Sequence, residues 1–241
     1  MTLEHSHAAE DIARRLQGGP DASYLRDWVY GGIDGAITTF AIVAGSVGAD
    51  LSSRIVLILG LANLLADGFS MAVANYSGTQ TEREDYHRLL LVEEKHIRVD
   101  PEGEREEIRQ IFRAKGYGGE ELETLVGILT SRRQPWIDTM MLEEYGMTRS
   151  PRAPLKAALA TFIAFFICGS VPLIPFVFGL SASGLITTAS TALAFFGIGA
   201  LKSRWSTRSW AVSGLETCAI GMTAAGIAWA VGYGLKTTLG T

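Results

Sequence analysis

Residues 55–75 read IVLILGLANLLADGFSMAVAN, a run whose one ionisable side chain, Asp67, lies well inside otherwise apolar sequence. A bilayer core is crossed by about 20 mainly apolar helical residues, so this stretch has the length and composition of a membrane span. Its polar members are ordered. Asn63, Asp67, Met71 and Asn75 recur every fourth residue, which aligns them along one helical face.

Four further runs of the same character flank it: Tyr30–Val47, Leu155–Phe178, Leu185–Leu201 and Leu215–Leu235. Five such runs within 241 residues leave no amphipathic shell to bury them in a soluble core. An all-α membrane protein with five transmembrane helices in a lipid bilayer is therefore expected. The first run carries Asp34 inside Gly31-Gly32-Ile33-Asp34-Gly35, with Thr38 one turn further on. Pro172 and Pro175 in the third free backbone carbonyls and can bend it. Gly197, Gly199, Gly221 and Gly226 in the last two permit close helix approach. Cys168 and Cys218 both lie in apolar runs and read as inert thiols rather than a disulfide or a metal knuckle.

Charge is segregated just as sharply. Sixteen of the 25 acidic residues fall between Ser77 and Met147. A net charge of −4 without a dominant basic cluster argues against a nucleic-acid binder. Basic residues mark cytoplasmic loops: Arg14, Arg15 and Arg26 precede the first span, and Lys202, Arg204 and Arg208 separate the fourth from the fifth. The links around Gly48–Arg54 and Gly179–Gly184 are short and nearly uncharged, and Lys236 stands alone in the C-terminal tail. The expected layout is a cytoplasmic N-terminal segment (1–27) without a secretory leader, spans one and two (28–76), a cytoplasmic helical insert (77–150), and spans three to five (151–241). The C-terminus falls outside. A bacterial inner membrane and an organelle membrane fit equally.

The insert reads as an extension of the second span followed by three short helices. Asp100 before Pro101 is an N-cap with proline at the first helical position. Gly118 and Gly119 interrupt the pattern, Pro135 opens another helix, and Gly146 closes it ahead of Pro151 and Pro154. Residues three or four apart share a helical face, which pairs Glu93 with His96, Glu104 with Glu107, and Met140 and Met141 with Glu144. Carboxylate, imidazole and thioether together favour a borderline divalent ion such as Fe(II), with Mn(II), Co(II) and Zn(II) compatible. Each pair alone is more simply a solvated charged face, as Glu94, Glu102, Glu106 and Glu143 are read to be, and adjacent methionines commonly fill packing gaps.

Ionisable groups inside a span are functional candidates by default. Asp34 and Asp67 qualify, whereas Glu216, near the start of the fifth span, reads as structural. Proton and metal compete for a buried carboxylate, so Asp34 can exchange one for the other, with Asp67 and Met71 replacing the ion's water and Asn63 and Thr38 lining the path. The competing reading for the stripe is interhelical hydrogen bonding by Asn and Asp.

Three segments together resemble the vacuolar iron transporter family: Asp34-Gly35, Ala66-Asp67-Gly68-Phe69-Ser70-Met71-Ala72, and Trp136-Ile137-Asp138-Thr139-Met140-Met141-Leu142-Glu143-Glu144. The resemblance runs from about Asp27 to the C-terminus. It implies a homodimer exporting Fe(II), and often Mn(II), from the cytosol in exchange for protons, with no prosthetic group, along a path between the first two spans of two subunits. Asp34 and Met71 match the family's path residues. Glu93, Glu104, Glu107, Met140, Met141 and Glu144 match its insert ligands. His96 departs, standing where the family commonly has glutamate, which replaces a negative charge by a group that ordinarily titrates near neutrality. Two other classes compete. Glu93-x-x-His96 is also the helical signature of di-iron carboxylate enzymes, which would consume oxygen on adding Fe(II), but the second Glu-x-x-His is lacking. A metal-sensing or binding module on a passive anchor would have no use for Asp34 and Asp67.

Overall fold

The computed structural model describes residues 6–17, 22–148, 152–180 and 183–239, so Pro151 lies outside it, as does the side chain of Arg15. Among the described residues the structure is helical with no strand. The chain divides into two compact units, Ser23–Gly78 with Ala153–Thr241, and Met1–Ala22 with Thr79–Arg152.

The first unit is apolar. Helices α2 (Leu25–Gly48), α3 (Ser53–Val99), α7 (Pro154–Ser170, continued through Val171–Leu173 into α8, Ile174–Val177), α9 (Ser183–Lys202) and α10 (Trp210–Leu239) supply five segments long and apolar enough to cross a membrane. The protein is thus an all-α, five-span membrane protein. The third span is broken where the sequence placed its prolines: Pro172 sits in the 3-10 turn and Pro175 in α8. Thr187 donates its hydroxyl to the Pro172 carbonyl at 3.2 Å, satisfying an acceptor that an unbroken helix would occupy.

Helix α2 packs against α7, α9 and α10. On α7 the approach is backbone to backbone: a Cβ on Gly31 would lie 2.2 Å from the Thr161 carbonyl oxygen, and one on Gly35 2.3 Å from that of Phe165. Only hydrogen fits there, which explains the glycine spacing of the first span. Around these contacts Val43, Val56, Leu64, Phe165, Leu173 and Phe176 form one apolar cluster. Ala36, Phe40, Phe195 and Ala225 form another. Gly199 and Gly221 also meet neighbouring helices, whereas Gly197 and Gly226 face open space.

In the second unit, α3 runs to Val99 and stops at Asp100, whose carboxylate accepts from Gly103 N at 3.0 Å. Helices α4 (Pro101–Ala114), α5 (Gly119–Thr130) and α6 (Arg133–Glu143) follow. Pro135 lies within the first turn of α6, where its missing N–H is not needed. Gly146, with φ at +66°, closes that helix as Met147 N reaches back to the Met141 carbonyl at 2.8 Å. Ile108, Leu122, Val126, Trp136 and Met140 build the core, and Leu89, Ile137 and Met141 a second cluster. One element was not foreseen: α1, Ala9–Gln17, a short amphipathic helix within the N-terminal segment.

Candidate metal-handling sites

In the membrane unit, α2 and α3 carry Asp34 and Asp67, both half-buried and close enough for their charges to interact. The glycines on either side of Asp34 press α2 onto α7 and so fix where that carboxylate stands. Thr38 donates to the Asp34 carbonyl at 2.9 Å, and the Asn63 amide donates to the hydroxyls of Thr38 and Thr39, each at 3.4 Å. Asn75, at the far end of the stripe, donates to the Asp27 carboxylate at 2.9 Å, the Thr161 hydroxyl at 2.7 Å and the Ala157 carbonyl at 3.3 Å. Both asparagines therefore act as interhelical ties. Asp34 and Asp67 differ: among the described residues neither side chain forms a hydrogen bond or ion pair. Met71 packs at the edge of the cluster of Val43, Leu64 and Phe165. Asp27, almost fully buried, was missed by the sequence reading because it stands where a polar lead-in meets the span. The available signal was Asn75, a half-buried amide in an apolar span that needs a partner.

In the insert unit, Glu93 on α3 and Glu104 on α4 are buried, while His96, Glu107 and Glu144 are exposed at the rim. His96 Nδ1 lies 3.3 Å from Glu104 Oε1 and 4.0 Å from Glu93 Oε1. Tyr145 Oη donates to Glu93 Oε1 at 2.9 Å. The second oxygens of both buried acids, Glu93 Oε2 and Glu104 Oε2, have no hydrogen-bond partner among the described residues. An unsatisfied buried carboxylate oxygen is costly and calls for a proton or a cation.

Burial, then repulsion from Glu93 and Glu107, the hydrogen bond that a protonated Glu104 makes with Glu93, and repulsion from Glu144 push Glu104 up to about 8. Burial and the nearby Glu93 and Glu107 also raise Glu144, against the lowering effects of Tyr145 and His96. The Tyr145 phenol is raised by burial and by its contacts with Glu93 and Glu144. The acids thus share one electrostatic environment, although among the described residues no three His, Cys, Asp or Glu side chains are arranged as a ready coordination shell. Met140 and Met141 do not point into open space: Met140 packs among Ile108, Leu122 and Trp136, and Met141 against Leu89 and Ile137. The remaining insert acids form a charged surface. Glu102 pairs with Arg105, Glu106 with Arg109, Glu143 with Lys115, and Glu94 with Arg133 at 3.3 Å. Glu216 pairs with Arg208 at 2.8 Å.

A five-span bundle with two intramembrane carboxylates unpaired among the described residues, and a helical unit with two buried acids that each leave one oxygen without a hydrogen-bond partner there, define a class: integral membrane proteins built to handle cations. Residues 25–233 match the VIT family, and the chain belongs to it. It is 35% identical over 202 residues to a vacuolar iron transporter of Toxoplasma gondii, covering 79% of this chain and 67% of that one. It is 34% identical over 212 residues to vacuolar iron transporter 2 of Oryza sativa, covering 85% of each. Identity to vacuolar iron transporter 1 of Arabidopsis thaliana is 31% over 208 residues, or 85% of this chain and 83% of that one.

Proposed function

We propose that this chain transports Fe(II), and Mn(II) with it, out of the cytosol into an organelle by exchange with protons. The observation that carries the reading is the pair Asp34 and Asp67, two neighbouring carboxylates in membrane helices without a hydrogen-bond or ion-pair partner among the described residues. Such groups hold a proton or a cation in turn, which is what coupling opposite fluxes requires. Asp67 and Met71 stay half-exposed on α3, so a second copy placed against that flank completes the wall of the path as a homodimer. Asn63 and Thr38 line it as the hydrogen-bonded frame around Asp34.

The insert, residues 77–150, captures ions from the cytosol. Glu93 and Glu104 are its inner ligands, His96, Glu107 and Glu144 its rim, and Met140 and Met141 supply thioethers if α6 turns on loading. The mixed donor set also admits Co(II) and Zn(II). Iron as cargo and an organelle as destination rest on the names of the relatives. Direction rests on the basic residues Arg26, Lys202, Arg204 and Arg208, which keep the N-terminus and insert cytosolic and the C-terminus opposite.

The test is uptake of Fe(II), Mn(II), Co(II) and Zn(II) into proteoliposomes with and without a pH gradient. Gradient-dependent Fe(II) flux is expected. Absence of gradient-dependent flux for every ion would sink the transporter reading.

A further inference from the structure

Between α9 and α10 the chain turns through Lys202-Ser203-Arg204-Trp205-Ser206-Thr207-Arg208-Ser209-Trp210, at an end of two membrane-spanning helices. Three cations and two indoles crowd nine residues. Arg208 is neutralised by Glu216 at 2.8 Å, but among the described residues neither Lys202 nor Arg204 has a carboxylate partner. A shallow recess of about 600 Å³ opens beside them, lined by Gly197, Ala200, Leu201, Ser203, Arg204 and Trp210. Its composition is graded. Gly197, Ala200 and Leu201 give an apolar floor on the membrane side, and nothing stands within 4 Å of where a Gly197 Cβ would be. Arg204 and Ser203 give a polar mouth. Trp210 meets Phe196 edge-on, with ring centres 5.8 Å apart, so one wall is aromatic.

We propose that this recess binds an anionic phospholipid, its phosphate against Arg204 and Lys202 and the start of one acyl chain along Gly197, Ala200 and Leu201. Charge complementarity selects the occupant: Arg204 lines the recess and Lys202 stands two positions before it, neither with a carboxylate partner among the described residues, and exposed Trp205 and Trp210 are side chains that favour the layer where lipid phosphates lie. A soluble anion would satisfy the cations but leave the apolar floor wet.

The test is quenching of tryptophan fluorescence of the full-length protein, in vesicles mixing phosphatidylcholine with brominated phosphatidylglycerol or brominated phosphatidylcholine. Two basic residues near the surface, each contributing about fivefold, give about a 25-fold preference for the anionic lipid at this site. K202Q/R204Q should bring the two lipids close to parity. K236Q, which removes a cation paired with Asp50 at 3.0 Å, should leave the preference intact. Equal quenching by both lipids in the unaltered protein, or a preference untouched by K202Q/R204Q, would overturn the proposal. So would displacement by millimolar inorganic phosphate, which would assign the recess to a free anion.

Discussion

Tyr145 donates its phenolic hydroxyl to Glu93 at 2.9 Å, tying the turn after α6 to a buried acid on α3. The other oxygen of that acid has no hydrogen-bond partner among the described residues, so Glu93 depends on this donor for its polar support. Y145F should destabilise the insert by about 1–3 kcal/mol, the usual penalty for orphaning a buried acceptor. Adding E93Q should recover part of the loss, because the amide removes a buried negative charge beside Glu104 and can donate to that carboxyl. Thermal melting of the single and double variants measures both, and additive losses would show the two side chains to be uncoupled.

Asp34 predicts a separation of functions. D34N keeps the shape of the side chain but cannot take up or release a proton. Gradient-driven Fe(II) flux should vanish while metal binding to the insert is unchanged. Retained flux would remove Asp34 from the path.

The protonation of Glu104 gives a pH signature. Its folded value, about 8, lies above the ordinary 4.5, so folding favours the protonated form. The associated stability is fully present below about 4.5 and is lost as pH rises through about 8. Hydrogen exchange of α4 amides in the chelated full-length protein should therefore accelerate across that window, beyond the intrinsic effect of pH. E104Q should flatten the excess. Parallel profiles for the two proteins would contradict the assignment.

His96 sits 3.3 Å from Glu104 and is exposed at the rim. If it ligates, H96A should weaken binding of Fe(II) to the insert by about tenfold or more, since even outer-shell partners of metals are worth that much. An identical isotherm would leave it a surface histidine.

Glycine contacts supply a stability test inside the bundle. G35A drives a methyl to 2.3 Å from the Phe165 carbonyl oxygen, a backbone atom that cannot turn aside. A loss above the about 1–3 kcal/mol typical of overpacking is expected, against almost none for G226A, which faces open space. Similar melting temperatures for the two variants would refute this packing.

The spans were legible because membrane helices advertise themselves by length and hydropathy, and the end of α3 because Asp100-Pro101 is a local signal. Local signals do not say which side of a helix faces a neighbour. Spacing of four placed Asn63, Asp67, Met71 and Asn75 on one stripe, yet only the structure divides them into two ties, a carboxylate and a packed thioether. The same holds for Met140 and Met141, whose apolar surroundings come from α4, α5 and the start of the insert. Tyr145 and Asp27 escaped notice because their importance lies in partners 52 and 48 positions away. Helix α1 is nine residues long, too short for its pattern to stand out.

The contacts of Gly31 and Gly35 with α7 bear on which helices of the bundle can shift independently. Two helices packed carbonyl to glycine cannot slide or swivel past each other without steric collision, so a displacement of α2 would be coupled to α7 and would move Asp34 with both. Helix α3 meets that pair through side-chain tips, Leu173 against Gly60 and Phe165 against Gly68. Tips can re-seat where backbones cannot. On the proposed function, the distance between Asp34 and Asp67 would then depend on how α3 re-seats against α2 and α7, within the limits set by the hydrogen bonds of Asn63 and Asn75.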